Sequence, residues 1–112
     1  MTRGNYLYED LTPAQFAAEI AAGRSWQLVD VREPWELAIA SVGQCIHIPM
    51  AEIPSRQAEL DKTAPVAVLC HSGGRSSRVA AYLCEQGFVR VANIAGGIDA
   101  WALEVDSSVA RY

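Results

Sequence analysis

Between Pro65 and Cys70 the chain reads PVAVLC, a run with no polar side chain. Successive side chains of a strand point to opposite faces, so a half-buried strand alternates apolar and polar residues. A strand without alternation has to bury both faces. That condition is met inside a parallel sheet with helices on both sides. The segment therefore predicts an α/β architecture, provided that helical segments flank it.

The flanking sequence supplies them. LTPAQFAAEIAAG reads as a helix in which Thr12 and Gln15 form a capping box, Pro13 suits the first turn, Phe16 and Ile20 share a face, and Gly23 ends the run. WQLVDV, Trp26 to Val31, reads as a strand, and EPWELAIA as a short helix opening at Pro34. CIHIP, Cys45 to Pro49, is a short strand, followed by AEIPSRQAEL, a helical segment that Pro54 begins or breaks. SSRVAAYLCEQG is a helix with an apolar stripe of Val79, Ala80, Leu83 and Cys84, stopped by Gly87. A strand runs from Val89 or Arg90 to Ile94, and GGIDAWALEV turns through Gly96 and Gly97 into a last helix. The tail DSSVARY shows little periodicity, predicts a surface course and carries no functional signal. Strands alternating with helices give a mostly parallel sheet.

Bulk properties narrow the function. A length of 112 residues with no repeat and no low-complexity linker predicts one domain over 1–112, large enough for its own core. The net charge of −4, with no Lys/Arg cluster, argues against nucleic acid. No apolar run is long enough to span a bilayer, and MTRGNYLYED has no apolar leader region, so the expectation is a cytoplasmic protein with no membrane partner. Three cysteines, Cys45, Cys70 and Cys84, do not make a disulfide framework. With no C-x-x-C pair, and with His47 and His71 not spaced as zinc ligands, no zinc site is expected, and nothing else in the chain implies a metal or an organic cofactor.

The chemistry concentrates in CHSGGRS, Cys70 to Ser76. Ligands of open α/β sheets sit beyond the carboxyl ends of the strands, where Cys70 falls. His71, Ser72, Gly73 and Gly74 are small or polar, suited to a loop whose N–H groups turn inward as an anion-binding nest. A helix starting near Arg75 or Ser76 adds its positive end, and both effects stabilise a thiolate. Arg75 offers a planar fork to an oxyanion. Two chemistries fit: attack on a sulfane sulfur to leave a cysteine persulfide, or attack on phosphorus to leave a cysteinyl phosphate. Cys84 and Cys45 read as structural, Trp101 as core and Arg78 as helix surface. The amide of His71 is expected to matter more than its ring, which is expected to face solvent. Asp30 and Arg32, at the same sheet edge as the loop, read as support, bracing it or forming an ion pair with Glu33 or a neighbour.

LVDVREPWEL, IHIPM, VAVLCHSGGRSSRVAAYLCEQGF and VRVANIAGGIDAW together resemble a single-domain rhodanese, from about Thr12 to Trp101. The family loop C-x-x-G-x-R is matched by Cys70, Gly73 and Arg75. The resemblance implies a five-stranded sheet with helices on both faces, a core of about 12–104 and a tail over 105–112. It implies a sulfurtransferase with a Cys70 persulfide, loaded from thiosulfate or a protein persulfide and unloaded to cyanide or a thiol. The amides from His71 to Ser76 would ring the sulfur, Gly73 would let the loop curl, and Arg75 would hold a sulfonate or brace the loop. Phosphatase and arsenate-reductase relatives of the fold carry C-x5-R, whereas four residues separate Cys70 from Arg75 here, a smaller cradle that suits sulfur better than phosphate. A third reading is a persulfide carrier for a dedicated partner. One segment departs from the family pattern: ASVGQCIHIPM places His47 where asparagine is common.

Overall fold

In the computed structural model, which describes residues 7–112, PVAVLC supplies strand β4, Val66–Leu69, and all four of its residues are buried. Val66 and Val68 pack into one apolar cluster, Ala67 and Leu69 into another. The run lacks alternation because both of its faces are interior.

Around β4 lie β1 (Glu9–Leu11), β2 (Gln27–Asp30), β3 (Ile46–His47) and β5 (Val91–Ile94). The order is β1-β5-β4-β2-β3, and every pairing is parallel. Four of the five strands are those the sequence marks, trimmed at their ends. The fifth, β1, is missed because EDL is a three-residue edge strand with only partial burial and no apolar run.

Helices cover both faces. On one, Phe16 of α1 (Pro13–Ala21) and Ile98 and Ala102 of α5 (Gly97–Glu104) pack on Leu28, Ala67, Leu69 and Ile94. On the other, Ile53 of α3 (Ile53–Arg56) joins Val79, Ala80, Leu83 and Cys84 of α4 (Gly74–Glu85) over Val29, Val66, Val68 and Val91. α2 (Pro34–Ile39) follows β2. The capping box of α1 forms as its sequence implies: Gln15 N–H donates to Thr12 Oγ1 at 3.1 Å, and Thr12 N–H donates to Gln15 Oε1 at 2.9 Å. Trp101 packs against Phe16, with ring centroids 5.8 Å apart.

Two details sharpen the sequence reading. α4 begins at Gly74, earlier than the Arg75 or Ser76 start. The tail keeps to the surface as expected, but it is anchored there: Val109 is buried in the cluster of Phe16 and Ile98, and Arg111 Nε lies 2.8 Å from Asp99 Oδ1. Among the described residues, no helix is long and apolar enough to cross a membrane. The leader reading of MTRGNYLYED falls mainly on residues 1–6, outside those described.

Topology fixes where a ligand meets this sheet. From β2 the chain proceeds to β3 at one edge, and from β4 to β5 toward the other. The crevice at the carboxyl ends of β2 and β4 is the switch point. Cys70 directly follows β4, and Arg32 closely follows β2.

Candidate functional site

The loop leaving β4 is pinned before it reaches its glycines. The Ile98 and Asp99 amides, in the first turn of α5, donate to the carbonyls of Cys70 at 2.9 Å and His71 at 3.1 Å. This approach needs glycine at 97. Gly97 has φ +61°, and a β-carbon there would overlap both carbonyl oxygens. Gly73, with φ +107°, caps α4 in the left-handed region and turns its own N–H back onto Cys70 Sγ at 3.1 Å.

Cys70 is 1% exposed. Among the described residues, two groups are hydrogen-bonded to its sulfur: the Gly73 amide and the Ser76 hydroxyl, 3.2 Å away. The expected ring of amides from His71 to Ser76 is instead one amide and one hydroxyl. Gly74, Arg75 and Ser76 form the first turn of α4, and among the described residues their amides are not hydrogen-bonded to the sulfur. Behind Ser76, its Oγ donates to Asn93 Oδ1 at 2.5 Å, and Asn93 Nδ2 donates to Asp10 Oδ1 at 3.0 Å. Ser72 and Gly74 form the exposed outside of the loop.

Arg75 reaches a partner on another element. Its Nη1 and Nη2 form a fork on Glu36 of α2, at 2.6 and 2.8 Å. The Glu36 side chain, 3% exposed, also accepts the Glu33 amide at 3.0 Å and the Tyr112 hydroxyl at 2.7 Å. Arg75 holds the Glu36 carboxyl at about 2, against the opposing effect of burial, with help from the Glu33 amide and Tyr112. Arg75 itself is raised above its ordinary value by the same hydrogen bonds. Of its two expected roles, the geometry gives it the bracing one. Its two terminal nitrogens are spent on a carboxylate, not presented to a sulfonate.

Asp30 and Arg32 are both fully buried and pair with each other, not with Glu33. Arg32 Nη2 and Nε lie 2.8 and 3.2 Å from Asp30 Oδ2, and Nη2 also reaches the Ala40 carbonyl at 2.8 Å. Burial works against the Arg32 charge, but the hydrogen bonds to Asp30 and Tyr112 outweigh it and raise the group. Arg32 Nη1 donates to Tyr112 Oη at 3.0 Å. Tyr112 therefore joins the Asp30–Arg32 pair to the Glu36–Arg75 pair. Its ring lies flat on His71, with centroids 4.1 Å apart and planes 8° from parallel. His71 consequently faces an aromatic ring, not open solvent. His47 Nε2 sits 2.7 Å from the Arg32 carbonyl, which gives that unusual residue a place under the same network.

The structure thus brings together all of the marked loop residues and the Asp30–Arg32 pair. It adds Glu36, Asn93, Asp10 and Tyr112, which sequence reasoning missed. Glu36, in PWEL, is an acid inside a short helix whose partner lies 39 residues away, and Tyr112 follows a stretch without periodicity. Cys84 lies at the other end of the sheet. It lines a cleft of about 540 Å³ with Tyr8, Phe88 and Arg90, at the amino-terminal ends of β1 and β5. Cys45 is half-buried, and burial pushes its thiol up. Among the described residues, no cluster of His, Cys, Asp and Glu is placed to hold a metal ion.

The fold and loop define a class: parallel α/β proteins that seat a thiol at a strand end against the first turn of a helix. Comparison with known proteins narrows it. Residues 12–104 match the rhodanese-like domain, and the chain belongs to that family. A protein of Allochromatium vinosum named a sulfurtransferase is 45% identical over 75 residues, covering 67% of this chain and 70% of its own. The Bacillus subtilis protein YtwF is 40% identical over 93 residues, covering 83% and 89%. A crystal structure of a rhodanese-related protein from Thermoplasma volcanium superposes with a TM-score of 0.78 at 31% identity, covering 88% of this chain and 94% of that one.

Proposed function

We propose that this chain is a sulfurtransferase that carries sulfane sulfur as a persulfide on Cys70. In the first half-reaction the Cys70 thiolate attacks the outer sulfur of thiosulfate or of a protein persulfide. The donor's S–S bond breaks, and sulfite or a thiolate leaves with the electron pair. In the second, cyanide or an acceptor thiol attacks the terminal sulfur, and the Cys70 thiolate departs. The Gly73 amide stabilises the anionic sulfur in the unloaded state, in place from the start and without reorganisation, and the Ser76 hydroxyl stands within reach to join it. Arg75, through Glu36, fixes the first turn of α4, and His71, Ser72 and Gly74 shape the loop's outer wall.

One observation carries this reading: a thiol at the carboxyl end of β4 with an amide hydrogen directed at it and a hydroxyl 3.2 Å away. The phosphoryl alternative is weaker. A transferring phosphoryl group needs several donors around its equatorial oxygens, and the arginine that would supply two of them is bound to Glu36. The test is intact-protein mass spectrometry after exposure to thiosulfate. The expected result is a gain of one sulfur that cyanide removes and that Cys70→Ser abolishes. Cys70-dependent phosphatase turnover with no sulfur gained would overturn the proposal.

A further inference from the structure

Behind Cys70 three polar side chains stand in line from the sulfur to the protein edge: Ser76, Asn93 and Asp10. Ser76 and Asn93 are 0% and 6% exposed, so water does not readily replace a lost partner. Each link has a direction. A carboxylate accepts only, so Asp10 takes a hydrogen from the Asn93 amide and turns Asn93 Oδ1 toward Ser76. An amide oxygen also accepts only, so Ser76 gives its single hydroxyl hydrogen to Asn93. Ser76 is left offering Cys70 a lone pair. A thiol S–H satisfies that lone pair; a thiolate is repelled by it.

We propose that Asp10 and Asn93 are positioning residues that set the direction of the Ser76 hydroxyl, and through it the balance between thiol and thiolate at Cys70. In the thiol state every donor points one way, from Cys70 through Ser76 and Asn93 to Asp10. When the thiol releases its proton to solvent, the Ser76 hydrogen turns to the sulfur and joins the Gly73 amide. Asn93 Oδ1 then stands buried without its donor, which opposes ionisation. In a persulfide the negative charge moves to the outer sulfur, Sγ no longer demands the Ser76 hydrogen, and the hydroxyl returns to Asn93. Asn93 and Asp10 thus hold back a hydrogen that Ser76 would otherwise give the thiolate, and the line relaxes on sulfur loading. The other charged or titratable groups around Cys70 are Arg75 of α4, paired with Glu36 of α2, His71 of the loop, stacked on Tyr112, and Asp99 of α5 near His71. Among the described residues, none of these is hydrogen-bonded to Sγ. The proposal rests on the reading of Cys70 as the reacting thiol.

The measurement is iodoacetamide alkylation of Cys70 in the full chain, located by peptide mass spectrometry. The rate at about pH 6, taken as a fraction of the rate at about pH 10, reports the thiolate share separately from access. Asn93→Leu frees Ser76 to face the sulfur and raises this fraction about fivefold, whereas Ser76→Ala lowers it about fivefold. The double variant Ser76→Ala/Asn93→Leu matches Ser76→Ala alone, because Asn93 acts only through Ser76. Asp10→Asn, a substitution at an exposed edge residue that leaves the core intact, also raises the fraction. An amide at position 10 can donate, so Asn93 can turn its N–H toward Ser76. This rise vanishes in the Ser76→Ala background, whereas an effect of the Asp10 charge alone would persist there. No change or a fall with Asn93→Leu and Asp10→Asn overturns the proposal, as does a rise that survives Ser76→Ala. Alkylation needs no sulfur donor. Persulfide formation without these effects refutes the positioning role alone, and these effects without persulfide refute the sulfur-transfer reading alone.

Discussion

Replacing Glu36 with glutamine tests the network around the loop most directly. Arg75 is the main reason that the Glu36 carboxyl lies at about 2 instead of 4.5, with the Glu33 amide and Tyr112 adding to it and burial opposing it. At ~1.36 kcal/mol per pH unit, this preference for the ionised form is linked to about 3 kcal/mol of folding stability. The Arg75 side chain is 31% exposed and can turn to water once its partner is neutral, so the net loss in Glu36→Gln is nearer ~2 kcal/mol. The sign of the pH dependence follows from a folded value below the unfolded one. The contribution is complete above about pH 4.5 and disappears as the pH falls through about 2. Urea unfolding followed by tryptophan fluorescence, at about pH 7 and in steps down to about pH 2.5, measures both the size and the pH range. The variant is expected to be less stable at neutral pH, with the gap to the wild type closing over that acid range. A gap independent of pH, or none at neutral pH, would refute the assignment of a strong, ionised Glu36–Arg75 pair.

Other substitutions separate the remaining supports. Arg32→Leu strands the fully buried Asp30 and is expected to lower stability by ~3–5 kcal/mol, with Asp30→Leu/Arg32→Leu recovering much of the loss in the same urea titration. Gly97→Ala drives a β-carbon into the Cys70 and His71 carbonyls at positive φ, so a loss of ~3 kcal/mol or more and a displaced loop are expected, read by thermal melting and by sulfur loading. Tyr112→Phe keeps the ring on His71 but removes the hydroxyl shared by Glu36 and Arg32, for ~1 kcal/mol in urea unfolding. Tyr112→Ala loses the stacking as well, and amide exchange over His71–Arg75 should quicken beyond that of the phenylalanine variant.

The parts of the molecule that were legible in the sequence are those whose causes are local. An apolar run without alternation declared β4, a threonine followed three residues later by glutamine declared the start of α1, and a cysteine before two glycines declared the loop. What stayed hidden depends on contacts between distant segments. β1 is a strand because β5 offers it an edge, and its three residues carry no pattern of their own. Glu36 matters because it meets Arg75, and Tyr112 because the buried Val109 and the Arg111–Asp99 pair return the tail to the loop. Even the expected ring of amides rested on the loop's composition alone. In the structure a single amide and a hydroxyl are hydrogen-bonded to Sγ, because the direction of each N–H is set by backbone angles that composition does not specify.

That replacement bears on the proposed sulfur chemistry. Asp30, Arg32, Glu36 and Arg75 are joined in two pairs of opposite charge, so no unmatched ion stands beside Cys70 from this network. The groups hydrogen-bonded to the sulfur are neutral dipoles. On the proposed reading this has a kinetic consequence. A thiolate held by a bare cation would be abundant but less nucleophilic, since attacking power falls with the basicity of the sulfur. It would also resist giving its charge to an outer sulfur. A site that loads and unloads needs the negative charge at Sγ in one half of the cycle and one bond farther out in the other. Neutral donors, one of them a hydroxyl with a second acceptor waiting in Asn93, let that charge move between the two positions with little rearrangement of the ions around them.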